Sequence, residues 1–254
     1  MKYFKSSLIY PIIFFIILVV AWEILVNTSN IPEFILPAPS SIINSISINY
    51  ISLLNDIKIT AIEALGGFLI ANIFSLVIAY LFTYFPFFEK ILYPLIISLK
   101  STPVIALSPL MIIWFGYGIE SKIVMASIVS FFPLVVNATL GFKNVDENAL
   151  KLFRTLTRSK IKEFFYLRFP SALPSIFSAL KISSTMAVVG SIVAEMFGAQ
   201  NGIGQTINLA SMNLDTPLLF SGIIFASLLG ILFFSSIVLL ESVLKINRYY
   251  NETT

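Results

Sequence analysis

The sequence contains no cysteine and no histidine. Disulfide and thiolate chemistry are excluded, as are imidazole general bases and metal sites built on His or Cys. Charge is scarce as well. Only 11% of the residues are Asp, Glu, Lys or Arg, against about 25% in a soluble domain. No G-x-x-x-x-G-K-[ST] stretch is present, so the chain has no phosphate loop with which to hydrolyse ATP itself. What fills the space is apolar: 57% of the residues are hydrophobic, 24 are Phe, and the mean hydropathy is +0.94. Such a chain belongs in a bilayer. Its net charge of +3 follows membrane topology, so it is no sign of nucleic-acid binding.

The apolar runs set the organisation. A bilayer core takes about 20 helical residues. Runs at 8–26, 62–85, 91–115, 119–142, 176–197 and 218–240 predict an all-α bundle of about six transmembrane helices. The first run is longer than the apolar region of a cleaved signal and has no small-residue cleavage site, so it reads as a retained span. Its Glu23 belongs at the outer interface or packs inward. Between the first two spans, Pro32, Pro37 and Pro39 break the chain. Ser40 or Ser41 can cap a short helix there. The third run is interrupted by Lys100-Ser101-Thr102-Pro103 and by Pro109. Broken backbone in a membrane must be covered by protein or line a wet cavity. Lys100 either meets that cavity or snorkels to the nearer interface.

Small residues recur every fourth position in three spans: Gly67, Ala71, Ser75 and Ala79; Ala179, Ser183, Ala187 and Ser191; Gly222, Ala226 and Gly230. This spacing lets helices approach closely. Three such stripes predict one packed bundle. The resulting division is 1–56 for the first span and an external loop, 57–245 for the transmembrane domain, and 246–254 for a polar tail.

Charge placement predicts orientation. With an even number of spans, one side holds Lys2, Lys5, Lys90, Lys143, Lys151, Arg154, Arg158, Lys160, Lys162, Arg168, Lys181, Lys245 and Arg248. The other has Lys58 and Lys122, both at span edges. The positive-inside rule puts both termini and the 144–174 loop in the cytoplasm.

That loop is the longest polar interruption in the chain. It reads as two short helices. Asp146 can cap the first, which carries Leu150, Leu152, Phe153 and Leu156. Ser159 can cap the second, which carries Ile161, Phe164, Phe165 and Phe169 and ends at Pro170. A basic loop with an apolar face needs a partner for that face, or lies on the membrane surface. Within the spans, the polar candidates for lining a pathway are Lys100, Ser101, Thr102, Asn137, Ser183, Ser184 and Glu195, because intramembrane polar groups tend to face the bundle interior. For the Ser and Thr residues, packing hydrogen bonds are the alternative. Glu195, beside a Gly-rich loop, is a candidate for the outer gate.

Three function classes remain at this point: a transporter, a membrane-embedded Ser–Lys enzyme using Lys100, and a passive channel or scaffold. The Ser–Lys pair is weakened because adjacent helical residues do not face each other. A passive channel has no need of two capped amphipathic helices in a loop.

The motifs go further. Leu36-Pro37-Ala38-Pro39-Ser40, Ala106-Leu107-Ser108-Pro109-Leu110 and Trp114-Phe115-Gly116-Tyr117-Gly118-Ile119-Glu120 occur in order. Phe132-Pro133, Asn137, Val145-Asp146, Arg154-Thr155-Leu156, Ala172-Leu173-Pro174, Ala194-Glu195-Met196-Phe197-Gly198 and Gly202-Ile203-Gly204 follow. From about Leu36 to Leu244 the chain resembles the permease subunits of binding-protein-dependent ABC importers of the type I fold. The likeness is to the branch for sulfonates, taurine, nitrate, or thiamine- and riboflavin-type precursors. The loop resembles that family's Glu-Ala-Ala motif in spacing: Lys151-Leu152-Phe153, then Thr157 at the Gly position, then Leu167-Arg168-Phe169-Pro170. Only the Pro is identical. The β-branched Thr157 suits a helical backbone there and is strained at positive φ.

The resemblance implies a prokaryotic plasma-membrane subunit with no cofactor of its own, working as a homodimer. Partner ATPase subunits would bind ATP and Mg, and an external solute-binding protein would deliver the solute. Its coupling loop would carry Lys151, Leu152, Phe153, Leu156, Thr157, Ile161, Phe164, Phe165 and Pro170.

Overall fold

In a computed structural model, which describes residues 2–29 and 31–244, every regular element is helical. The order is α1 (Lys2–Thr28), α2 (Pro39–Tyr84), α3 (Pro86–Ser101), α4 (Val104–Phe115), α5 (Ile119–Lys143), α6 (Glu147–Leu156), α7 (Lys160–Glu163), a π-helical turn (Phe164–Arg168), α8 (Phe169–Gly198), α9 (Ile203–Met212) and α10 (Thr216–Val243). Lys245 and the tail 246–254, with Arg248, lie outside the described residues.

Among the described residues, five helical stretches are each long and apolar enough to cross a membrane, and the remaining expected span is the broken one. The expected third span is two pieces, α3 and α4, because Pro103 has no N–H to continue the ladder. The expected second span also starts much earlier. Pro39, at the first helical position, is compatible with a helix start, and 46 residues then run without a break. No separate helix precedes the span, and neither Ser40 nor Ser41 is its cap. Ala38 stands at the cap position without a side-chain bond. Instead the Ser40 N–H donates to Glu23 Oε2 at 3.0 Å and its hydroxyl donates to Oε1 at 2.7 Å. A carboxylate from α1 thus satisfies a free N–H of α2, at the end where the helix dipole favours negative charge.

The bundle is built on α5, which packs most extensively against α8 and α2. In the apolar stretch of α5, 56% of residues are buried, against 11% in that of α10 and 6% in that of α1. The last two are therefore peripheral helices with apolar outer faces. Two of the small-residue stripes do what their spacing predicts: Gly67, Ala71, Ser75 and Ala79 are all buried, as are Ala179, Ser183, Ala187 and Ser191. Three helices approach one another closely at Ala126. A Cβ on Gly190 would sit 2.8 Å from the Ala126 Cα, and one on Gly67 would run into the Ala126 methyl and the Ile123 carbonyl. The third stripe fails at Gly230, where an added Cβ meets nothing within 4 Å.

Pro170 does not end the loop's second helix. The segment Lys160–Gly198 runs on as one helix of 39 residues. The π-helical turn explains this. The Phe169 N–H reaches back to the Phe164 carbonyl, an i→i−5 bond. The widened turn accommodates both the missing N–H of Pro170 and its ring.

Candidate coupling loop and membrane cavity

The loop's caps form as the sequence predicts. Asp146 Oδ1 accepts from the Ala149 N–H at 2.8 Å, and Ser159 Oγ accepts from the Lys162 N–H at 3.4 Å. Thr157 joins the two helices with φ −154° and ψ 140°. This is extended backbone, neither helical nor at positive φ. A β-branched residue is at ease there, so the departure from Gly costs nothing in strain. The Thr157 hydroxyl also accepts from the Ser159 N–H at 3.2 Å.

The apolar face divides in two. Leu152, Leu156, Ile161 and Phe165 are 65%, 78%, 63% and 61% exposed, with Lys151 exposed beside them and Phe153 half-buried. None of α6 is buried. Phe164 faces the other way. It is 7% exposed and packs in the bundle core, its ring 4.8 Å from Tyr80, 4.9 Å from Phe142 and 6.0 Å from Phe169 between centroids. Phe164 therefore anchors the loop and is not part of its free face. Pro170 is half-buried in the first turn of α8. Tyr166, 74% exposed, joins the free face. Its place next to Phe165 in an amphipathic run was the available signal.

The residue that sequence reasoning missed is Glu163. It is buried, and it is the hub of the loop. Arg154 Nε of α6 donates to Oε2 at 2.9 Å; Arg168 Nε donates to Oε1 at 2.7 Å. The Tyr84 hydroxyl, at the end of α2, lies 3.4 Å from Oε1. Arg168 Nη1 in turn donates to the Phe142 carbonyl at 2.6 Å, one of the last carbonyls of α5. The hydrogen bond to Glu163 holds the Arg154 guanidinium above its ordinary pKa. One carboxylate thus ties α6 to the ends of α2, α5 and α8. The signal in the sequence was an acid alone among bases, with Arg154 and Arg168 on either side.

Within the spans, the structure separates the candidates. Lys100, Thr102 and Asn137 come together on a cavity of about 460 Å³ between the α3/α4 break, α5 and α8. The other candidates do not line it. Ser101 is exposed and its hydroxyl donates to the Ile97 carbonyl, which leaves the Ser–Lys pair without geometry. Ser183 donates to the Ser130 carbonyl at 2.6 Å, stitching α8 to α5, and Ser184 donates within its own helix to Lys181. Both are packing bonds.

Glu195 is fully buried and does not line this cavity. Its carboxylate accepts from the Thr60 hydroxyl at 2.6 Å and from the Gly204 N–H at 2.6 Å. Ile203 N–H donates to Thr60 Oγ1 at 3.0 Å, and Asp56 accepts from Gly202 N–H and from Thr206. Gly202 has φ +115°, and a Cβ on Gly204 would lie 2.8 Å from Glu195 Oε2. Both glycines are required so that this turn can close over the carboxylate. Lys122 stands at a span edge, in the first turn of α5, yet it faces inward. It is 2% exposed, and its ammonium donates to the carbonyls of Tyr117, Gly118 and Gly198. With Glu63 it lines a second cavity of about 200 Å³. The end of the bundle opposite the basic loop is thus locked by buried charges that composition alone left unplaced.

A membrane bundle with one broken span, and a two-helix loop holding an apolar face away from that bundle, defines the class of the molecule: a polytopic membrane permease. The chain belongs to the family of binding-protein-dependent transport system inner membrane components, which matches residues 71–245. It is 33% identical over 235 residues to the formylaminopyrimidine transport permease protein ThiX of Halalkalibacterium halodurans, covering 92% of this chain and 94% of that one. It is 28% identical to the riboflavin transport system permease protein RibX of Chloroflexus aurantiacus, over 90% and 86% of the two chains. With the putative aliphatic sulfonates transport permease protein SsuC of Escherichia coli the identity is 30%, over 88% and 86%. The protein is a multi-pass transport subunit of the ABC importer class, not an enzyme.

Proposed function

We propose that this chain forms the solute pathway of an importer for a small polar or anionic solute and couples it to a separate ATPase through α6. The observation that carries the coupling is the pair of Leu152 and Leu156. Both are more than 60% exposed on a helix that buries nothing in its own bundle, yet the helix is held in place by Arg154. An apolar face so presented fits a cleft in another protein. In this reading both termini and the loop are cytoplasmic, two copies of the chain enclose the pathway, and an external binding protein delivers solute to the opposite end. ATP and Mg belong to the ATPase. The basic residues at the loop end support that orientation. The solutes for which the relatives are named support a small organic substrate without choosing among them.

The test is Leu152→Asp with Leu156→Asp. Burying each Leu in a partner contributes about 1.5–3 kcal/mol, so the double variant should lose co-purification of the partner ATPase, and ATP-driven uptake with it. Insertion and thermal stability should not change, because neither side chain is buried in the subunit. Wild-type co-purification and uptake by the double variant would make the loop a solvated connector.

A further inference from the structure

The cavity of about 460 Å³ is of the size that small ligands occupy. Its walls are mostly apolar, with Val104, Leu107, Phe132 and Val136 among them, and Lys100 is the one charged side chain on them. Among the described residues Lys100 forms no ion pair, whereas Lys143, Lys151, Arg154, Arg168 and Lys181 each have a carboxylate. Lys100 is itself exposed, and apolar walls beside an exposed cation focus its field and raise the local concentration of an incoming anion. The neighbouring polar groups do not supply that anion. The Thr102 hydroxyl donates to the Ser98 carbonyl at 3.2 Å. Asn137 Nδ2 donates to the Pro133 carbonyl at 2.7 Å, which leaves its second N–H to donate elsewhere.

We propose that this cavity is the subsite for the anionic group of the transported solute (a sulfonate, carboxylate or phosphate monoester), with Lys100 as its counter-charge and the Asn137 amide as a second donor. The proposal rests on the permease reading and narrows it to anions. Two sources can present such an anion. The Lys181–Glu241 pair lies one residue from Ile182, which lines the cavity. Charged groups therefore reach this level of the bundle twice, and a phospholipid headgroup is the other source.

The absence of native cysteine allows a direct test on the full chain in nanodiscs, without the ATPase. Thr102→Cys places a thiol on the cavity wall. Its modification rate is measured with 2-sulfonatoethyl methanethiosulfonate, an anionic reagent, and with the neutral methyl reagent. The anionic-to-neutral ratio should fall about tenfold when Lys100→Met is added, and Lys100→Arg should restore it. Free ethanesulfonate should slow modification only where position 100 is cationic. Nanodiscs of phosphatidylcholine and of phosphatidylglycerol separate the two sources. Competition by ethanesulfonate in both supports a soluble anion. Loss of the preference in phosphatidylglycerol, with no competition by ethanesulfonate in phosphatidylcholine, assigns the site to lipid and overturns the proposal. So does a ratio that ignores the charge at position 100. That second result, with ATPase docking and uptake intact, would remove the subsite and leave the permease reading standing. A charge-dependent ratio with docking lost would do the reverse.

Discussion

Replacing Glu163 separates two jobs that the loop performs. Arg168 is buried and Arg154 is not: their side chains are 10% and 56% exposed. Glu163→Ala removes the partner of both. For the exposed Arg154 leg the loss is that of a surface ion pair, about 0.2–1 kcal/mol. For Arg168 it is that of a buried pair broken on one side, about 3–5 kcal/mol. The Phe142 carbonyl still accepts from Arg168, so the lower end of that range applies and the total is about 3–4 kcal/mol. Arg154→Met cuts only the α6 leg and should cost about 1 kcal/mol or less.

The two variants should therefore differ in what moves. Equilibrium unfolding in mixed detergent should place Glu163→Ala well below wild type and Arg154→Met close to it. Hydrogen exchange should rise in α6 for both, but at the ends of α2, α5 and α8 for Glu163→Ala alone. Uptake should fall in Arg154→Met despite its near-normal stability, because α6 is then no longer tied to the three helix ends. If Glu163→Ala is no less stable than Arg154→Met, the carboxylate is not the hub, and the reasoning fails at the burial of Arg168.

Gly67→Ala should destabilise by about 1–3 kcal/mol, because its Cβ meets backbone at Ile123. Gly230→Ala, with open space around it, should hold the unfolding midpoint or raise it, by up to about 1 kcal/mol, because it only removes chain freedom. Glu195→Ala orphans the Gly204 N–H, while the Thr60 hydroxyl keeps the Asp56 carbonyl at 3.1 Å as an acceptor, a cost of about 1–3 kcal/mol in unfolding measurements; faster exchange of the Gly204 amide should locate the damage. Thr157→Gly should give no gain at its extended backbone and lose about 0.5–1 kcal/mol to added chain freedom. Ser183→Ala should cost about 0.6 kcal/mol, the mean for a helix–helix side-chain hydrogen bond in a membrane, with uptake unchanged.

The helical class and most span positions were legible because lipid imposes one rule on every residue of a crossing: be apolar, or have a reason. The small-residue stripes were legible in α2 and α8 for the same kind of reason, since a buried face repeats with the helix. The errors have local causes. Period cannot say where a helix begins, so α2 hid its first turns behind three prolines that look like loop punctuation. One of them, Pro39, is the start itself. Pro170 reads as a stop because a missing N–H usually is one, and a single π turn upstream is invisible in composition. Gly230 belongs to a stripe by count, but α10 is peripheral and nothing comes close.

Charged residues were the least legible, because their role depends on partners far away in sequence. Glu23 was read from its own span, yet it satisfies the start of the next. Lys122 was counted for topology, yet three backbone carbonyls absorb its charge inside the protein. Phe164 and Phe165 show the same limit in apolar form. They are adjacent and chemically identical, and both fit an amphipathic run, but the π turn sends one ring into the Tyr80–Phe142 core and leaves the other exposed. This decides how the proposed coupling face must be probed. An acidic substitution at Phe164 buries a charge among aromatic rings and would abolish docking by unfolding the bundle, whatever the loop does. Phe165, like Leu152 and Leu156, can be altered without touching that core, so a lost partner at those three positions reports on the face itself.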